Sequence, residues 1–396
     1  MYLNDGRGNF RAVTDADARF RDERGIPMPM PSDPSHEPVF RDVDGDGDPD
    51  LYVCSDFFWP DRFWINEGRG TFRLVDKLAV RRTSQFSMGV GFADINRDGH
   101  QDFLTVDMLS RDHKRRKTQM GMMQPTPTAV GLIHNRPQIM QNTFFLNRGD
   151  NTWAEIAQFA GVKASEWSWG TVFMDVDLDG YEDLLISTGM TRDFMDSDAM
   201  DRIEEEKKQL SEKYKSKPNL APLAVSFGHH WPKLETTNVA YRNRGDLTFE
   251  DVSKKWGFGT LAVSGGIARA DFDGDGDLDV IINNDGVPLE VYRNETTAPR
   301  IAVRLMGNSP NTQAIGAKVR LLGGPGGPEP QQKEINCGGG YASGSDTLAV
   351  FGTADRVDDL SLEITWRNGR VTRVPNVRPN NLYTVRETDS IREIPS

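Results

Sequence analysis

Four short apolar runs punctuate the chain: Leu51-Tyr-Val-Cys54, Phe103-Leu-Thr-Val106, Leu184-Leu-Ile-Ser187 and Val280-Ile-Ile-Asn283. They are rich in branched and aromatic residues and too brief for helices, so each predicts a buried strand. Asn-x-Gly stretches interleave with them: Asn4-Asp-Gly6, Asn66-Glu-Gly68, Asn147-Arg-Gly149 and Asn243-Arg-Gly245, each with an aromatic soon after. Both turn residues accept hairpin backbone angles, so each marks a hairpin; Tyr292-Arg-Asn294 begins a fifth copy. After about Thr297 the texture changes to apolar–polar alternation, as in Ile301–Leu305, Ala317–Leu322 and Leu360–Trp366, broken by Gly-rich turns (323–327, 338–340, 368–369). That predicts a small antiparallel sandwich or barrel over 298–387, with a short tail at 388–396. A helical period occurs once, over 197–215, where Met200, Ile203, Leu210 and Tyr214 share a side amid Glu and Lys.

Each apolar run is preceded by the same acidic phrase. Oxygen-bearing side chains stand at positions 1, 3, 5 and 9: Asp42, Asp44, Asp46 and Asp50; Asp94, Asn96, Asp98 and Asp102; Asp175, Asp177, Asp179 and Asp183; Asp271, Asp273, Asp275 and Asp279. Position 6 is always Gly. A hard cation such as Ca²⁺ takes six to eight oxygen ligands, and a short loop wraps it only by turning sharply. An EF-hand is excluded, because position 12 holds Val53, Thr105, Ile186 and Ile282 instead of a bidentate Glu, and a strand follows instead of a helix. Four copies of loop, strand and hairpin predict about four Ca²⁺ sites on a repeat of propeller blades. The ions are expected to be structural, neutralising crowded carboxylates and fixing each turn.

Spacing locates insertions. Loop start to Asn-x-Gly turn runs from 42 to 66 and from 271 to 294, but from 94 to 147 and from 175 to 243 in the middle repeats. The extra residues lie near 108–141, which is basic and Met-rich, and 190–237. Insertions of this kind collect on one face, often the binding face.

Together these motifs resemble FG-GAP (VCBS-type) repeats of integrin-α-like β-propellers. The tail, with 311–320, Gly338-Gly-Gly-Tyr-Ala-Ser343, Val350-Phe-Gly352 and Ile364-Thr-Trp-Arg-Asn-Gly369, is similar to the ASPIC/UnbV domain. That pairing is characteristic of the cartilage acidic protein family and its bacterial relatives. The resemblance implies an all-β fold: a propeller over 1–297, a helical insertion, and a sandwich-like C-terminal domain. It also implies secretion, and backbone carbonyl ligands at position 7, here Asp48, His100, Tyr181 and Asp277. Val350-Phe-Gly stands where the family commonly has His-Phe-Gly, so no role for that His carries over. The chain opens inside a repeat, so its natural N-terminus, with any secretion signal and further blades, is expected upstream.

Composition changes little. Net charge is −12, but the four loops alone hold 18 carboxylates, so the acidity belongs largely to the metal sites and argues against nucleic acid as a partner. No apolar run is long enough for a membrane span. Two cysteines, Cys54 and Cys337, give no disulfide framework. Arg148-Gly-Asp150 and Arg244-Gly-Asp246 spell an adhesion tripeptide, but both fill a hairpin slot that already asks for Gly and a turn former. The run 111–117 reads as a solvated basic loop. His229, His230 and Trp231 form a candidate ligand cluster with no third metal ligand in view, and of Trp167 and Trp169 one is expected in the core and the other facing a ligand. No Ser/His/Asp set, His-Glu-x-x-His or Gly-x-Ser-x-Gly occurs. The expectation is a non-enzymatic, extracellular, cell-surface or periplasmic Ca²⁺-binding module for adhesion to protein or carbohydrate. A polysaccharide-active hydrolase or lyase, or a surface scaffold, is the alternative.

Overall fold

The computed structural model describes residues 1–388 except 32, 58, 121–136, 214–224, 325–328, 355, 357 and 358. Met122, Met123, Tyr214, Lys215, part of the 323–327 turn and the 389–396 tail therefore lie outside the described residues.

Each acidic phrase joins the first two strands of an antiparallel sheet. The first repeat orders Ser35–Arg41, Asp50–Ser55, Arg62–Asn66 and Phe72–Leu74, with Phe20–Arg21 added in parallel at its outer edge. The second comprises Gly89–Ala93, Asp102–Val106, Thr143–Asn147 and Trp153–Glu155, and the third Ser168–Met174, Asp183–Thr188, Val239–Asn243 and Phe249–Asp251. The fourth has three strands, Ser264–Ala270, Asp279–Asn284 and Glu290–Tyr292.

The sheets pack face to face in series. Side chains alternate across a strand, so Phe103 joins Tyr52, Phe63 and Phe145 toward the first repeat while Leu104 joins Phe144, Phe173 and Leu184 toward the third. The second strands are thus sandwiched on both faces, which is why Asp102–Val106 and Asp183–Thr188 are buried throughout and read as unbroken apolar runs. Phe103 stacks on Phe145 with ring centroids 4.6 Å apart, and Tyr52 lies 4.9 Å from Phe103. The first strands of consecutive repeats are neighbours in space.

In a meander the first and third turns share one end of the sheet and the second turn the other. The acidic loops and Asn-x-Gly hairpins therefore share an end, and the long insertions rise from the opposite one. The insertions meet there, where α1 (His113–Met120) packs against α3 (Ser197–Lys213); a short α2 (Ala157–Ala160) follows the second repeat. The basic run is not a loop, although His113, Lys114 and Lys117 are exposed. Most of it is helical, and Arg111 and Arg115 lie 3.5 and 3.6 Å from the buried carboxylate of Glu166, which also accepts the Arg111 N–H and the Ser110 hydroxyl.

The tail builds two sheets around its own core. Arg300–Met306 lies between Ala349–Gly352 and the parallel Asn381–Arg386, facing Lys318–Leu322, Gln331–Glu334, Ser361–Thr365 and Val371–Val374. Ile301, Val303, Val319, Leu321, Phe351, Ile364 and Trp366 fill that core. Val350 points the other way: with Ala302 and Leu348 it packs on Val172, Ile267 and Val280 of the third and fourth repeats. One face of the first tail sheet is thus shared with the repeats, because its strands carry apolar residues on both sides.

From this docked domain the Gly-rich loop 338–346 runs along the first strands of the repeats. Its Gly340 N–H meets Glu37, Ser343 accepts the Ile267 N–H at 2.9 Å, and Asp346 donates to the Arg269 carbonyl at 2.9 Å. At its tip Tyr341 lies 4.8 Å from the ring of Trp169. Of the two tryptophans one is core as expected, Trp167; the other, Trp169, is half-buried against Tyr341 and donates its indole N–H to the Gly189 carbonyl.

Candidate metal centres

The four loops share one wiring scheme. The position 1 carboxylate accepts the N–H of the position 6 glycine: Gly47 to Asp42 at 3.1 Å, Gly99 to Asp94 at 2.9 Å, Gly180 to Asp175 at 2.8 Å and Gly276 to Asp271 at 3.1 Å. Those glycines sit at φ of 94°, 86°, 98° and 90°, a region in which a side chain is strained. The position 9 carboxylate is buried and takes two backbone N–H groups. One comes from position 2 of its own loop (Val43, Ile95, Val176, Phe272, at 2.8–3.1 Å). The other comes from the hairpin asparagine (Asn66, Asn147, Asn243, Asn294, at 2.7–2.9 Å).

That asparagine does more than turn the chain. Its side-chain amide reaches back to the position 2 carbonyl of the preceding loop: Asn147 to Val43 at 3.3 Å, Asn243 to Ile95 at 2.9 Å and Asn294 to Val176 at 2.9 Å. Each hairpin thus latches its own loop to the one before. Asn66 bonds instead to the Pro49 carbonyl of its own loop at 3.1 Å. The signal was present, since Asn opens every Asn-x-Gly copy, but turn chemistry alone accounted for it.

Carboxylate oxygens converge in three loops. Those of Asp42, Asp44 and Asp50, of Asp175, Asp177 and Asp183, and of Asp271, Asp273 and Asp279 lie within 4.8 Å of one another in each set. The second loop substitutes Asn96 at position 3, whose amide donates to Asp98 at 2.9 Å. Position 5 splits off in the third loop, where Arg242 binds Asp177 and Asp179, both at 2.5 Å. At position 7 the rings of His100 and Tyr181 lie over Gly149 and Gly245 of the hairpins. Asp48 is near Gly68, and the Asp277 side chain turns inward, 3.4 Å from Arg300.

Burial opposes the negative charge gathered here. It pushes Asp50 up to about 8, with the Asp44 charge adding to the effect, and Asp94 and Asp277 up to about 7. Asp102, Asp175 and Asp183 are raised well above the ordinary carboxylate value, again first by burial. Asp177 Oδ1 and both side-chain oxygens of Asp277 are buried and accept no hydrogen bond. All-oxygen donors, crowded carboxylates and orphaned acceptors fit a hard divalent cation.

The tail lies across this acidic end and offers each loop a polar or cationic group. Lys318 stands 2.7 Å from Asp42, Gln332 donates to the Gly99 carbonyl at 3.1 Å, Lys333 pairs with Glu182, and Arg300 lies 3.1 Å from Asp275. Gly352 packs so tightly on the third loop that an added Cβ would stand 2.1 Å from the Leu178 carbonyl oxygen.

The other predicted cluster lies at the far end. His229 and His230 sit in the 3₁₀ turn Val225–His230, and Trp231 meets Phe194 edge to face at 5.6 Å. The third group of this cluster, not singled out in the sequence, is Glu206 of α3, which pairs with His230. In the sequence it is one of several Glu in a charged helical run, and nothing there singled it out.

The FG-GAP-like repeat family matches residues 42–105, 132–186 and 233–282, and the ASPIC and UnbV family matches residues 307–392. Cartilage acidic protein 1 of Xenopus tropicalis is 27% identical over 260 residues, and that of Mus musculus 28% over 261. Each match covers 58% of this chain and 38% of the relative, so the chain spans under two fifths of the length of the curated relatives it matches. An Agrocybe aegerita lectin that recognises non-reducing terminal N-acetylglucosamine aligns at 14% identity over 74% of this chain and 60% of its own, with a TM-score of 0.31. A likeness that low carries no argument.

Proposed function

Because the chain carries FG-GAP-like repeats followed by an ASPIC and UnbV domain and is homologous to cartilage acidic protein 1, we propose that it is a Ca²⁺-stabilised, non-enzymatic binding module of an extracellular or periplasmic surface. In this reading the repeats of 1–297 are blades of a β-propeller, and 298–387 is a sandwich-like domain seated on their acidic end. The observation that carries it is the fourfold recurrence of one wiring scheme, with carboxylates converging in three of the four loops. Positions 1, 3, 5 and 9 of each loop would hold the ion, with the position 7 carbonyl beside them. Ca²⁺ supplies charge neutralisation and a fixed turn. The chain's own part is to aim the position 1 and position 9 oxygens with backbone N–H groups.

Recognition belongs to the other end, since the tail covers the loops. Phe57, Trp59 and Phe194 are exposed on the connections that follow the second strands of the first and third repeats. Exposed aromatic side chains gathered on these connections suit a binding face, with rings that fit the apolar faces of sugars or peptide side chains. Among the described residues no helix is long and apolar enough to cross a membrane. A glycan array probed with the purified chain, with and without Ca²⁺, tests the reading. Specific binding that weakens on Trp59→Ala supports a carbohydrate ligand. An array that stays blank, with calorimetry showing no Ca²⁺ uptake, overturns it.

A further inference from the structure

The geometry points to a second metal site, unlike the acidic loops in chemistry and at the opposite end of the molecule: Glu206, His229 and His230 form a two-histidine, one-carboxylate centre for a borderline transition ion such as Zn²⁺. Their donor atoms all lie within 4.8 Å of one another. Two separate elements bring them together, since Glu206 and His230 are 24 residues apart.

Both elements are anchored. On α3, Ala199 and Ile203 are buried, and Glu206 follows Ile203 by three residues, on the same inward face. The turn bearing the histidines is held by buried Phe227 before it. After it, the Trp231–Phe194 contact and the backbone bond from Asp193 to the Pro232 carbonyl hold the chain. Neighbouring side chains on a 3₁₀ turn ordinarily diverge by about a third of a circle. Here the His229 and His230 ring centroids are 4.0 Å apart, and both rings converge on the Glu206 carboxylate.

Glu206 pairs with His230, and His229 brings a second imidazole nitrogen within reach of the same carboxylate, the kind of donor set that a shared cation takes. Neutral imidazole nitrogens with a carboxylate oxygen suit Zn²⁺, whereas Ca²⁺ prefers oxygen alone. Lys207, the nearest basic neighbour in sequence, is paired with Glu204 at 2.7 Å. Three protein ligands leave the fourth tetrahedral position for water or an incoming ligand group, among the surface aromatics of the same end. The ion would also clip α3 to the turn.

The test uses the whole chain in excess Ca²⁺, so that the acidic loops are filled. Co²⁺ is titrated while visible absorption is followed, then displaced with Zn²⁺, and bound zinc is counted after dialysis. One Zn²⁺ per chain is expected, with intense Co²⁺ bands of low-coordinate nitrogen–oxygen ligation. Glu206→Gln and His229→Ala should each weaken binding roughly tenfold or more. His229 is exposed, so its replacement leaves folding intact, which circular dichroism checks. No zinc retained in Ca²⁺, or zinc retained equally by both variants, overturns the site and leaves an ion pair only. Neither result bears on the Ca²⁺ loops.

Discussion

Replacing Asn243 with Ala tests the inter-repeat latch directly. Asn243 is fully buried. Its side chain donates to the Ile95 carbonyl of the preceding loop at 2.9 Å and to the Glu182 carbonyl at 3.2 Å, and accepts the Gly245 N–H at 2.9 Å. At about 1 kcal/mol for each hydrogen bond, its truncation should cost about 3 kcal/mol. Asn66 is the internal control: it makes the Pro49 bond and accepts the Gly68 N–H, but has no bond across repeats. Asn66→Ala should therefore cost about 2 kcal/mol, and the difference of about 1 kcal/mol is the latch itself. Urea denaturation in saturating Ca²⁺, followed by tryptophan fluorescence, measures both. If Asn243→Ala proves no more costly than Asn66→Ala, the asparagine is a turn former and the coupling between repeats resides in the apolar faces alone.

Chelation should lower the melting temperature, since an ion at a hundred times its Kd stabilises the fold by about 2.7 kcal/mol per site; an unmoved melting curve refutes Ca²⁺ in the loops. Asn96→Asp gives the second loop the carboxylate that the others have at position 3, and calorimetry should show one site tightened roughly tenfold. Gly352→Ala forces a Cβ against the Leu178 backbone, so proteolysis near 294–300 should quicken while the tail keeps its own core; unchanged cleavage refutes the docking. Asp61, buried and bonded to Tyr52, Ser87 and Ser55, is pushed by burial up to about 7, and buried Asp107 up to about 6. The folded state holds these protons longer than the unfolded chain, so their contribution is full below about pH 4 and lost as pH climbs toward 7. Melting temperature in Ca²⁺ should decline over that range, and Asp61→Asn should flatten the decline.

What was legible in the sequence was what is local. The acidic loops, the strands they enter and the hairpins each fit within about a dozen residues, and repetition multiplied a weak signal into a firm one. The partners of those residues lie far away. Asn147, Asn243 and Asn294 reach carbonyls 104, 148 and 118 residues back, distances at which residue type says nothing. Lys318 read as the polar half of a strand alternation, and only the seating of the tail turned it toward Asp42, as it turned Lys333 toward Glu182. Which of Trp167 and Trp169 would be core was open for the same reason, because the ring that meets Trp169 belongs to Tyr341. Glu206 was hidden among like residues, and the pattern of α3 could place it on a face without naming what that face would meet.

The way the tail straddles the acidic end has a mechanical meaning. Arg300–Met306, the strand that leads out of the repeats, lies parallel to the last strand, Asn381–Arg386. A pull applied at the C-terminus would load that pair along its length, as shear on many hydrogen bonds at once instead of one at a time. Lys318, Gln332, Lys333 and Arg300 would then share the load among four loops in parallel. Repeats strung end to end would peel singly under tension, whereas repeats strapped together at one end yield only as a group. If the far end grips a ligand as proposed, strain applied through the C-terminus would reach that face only after the strap has failed.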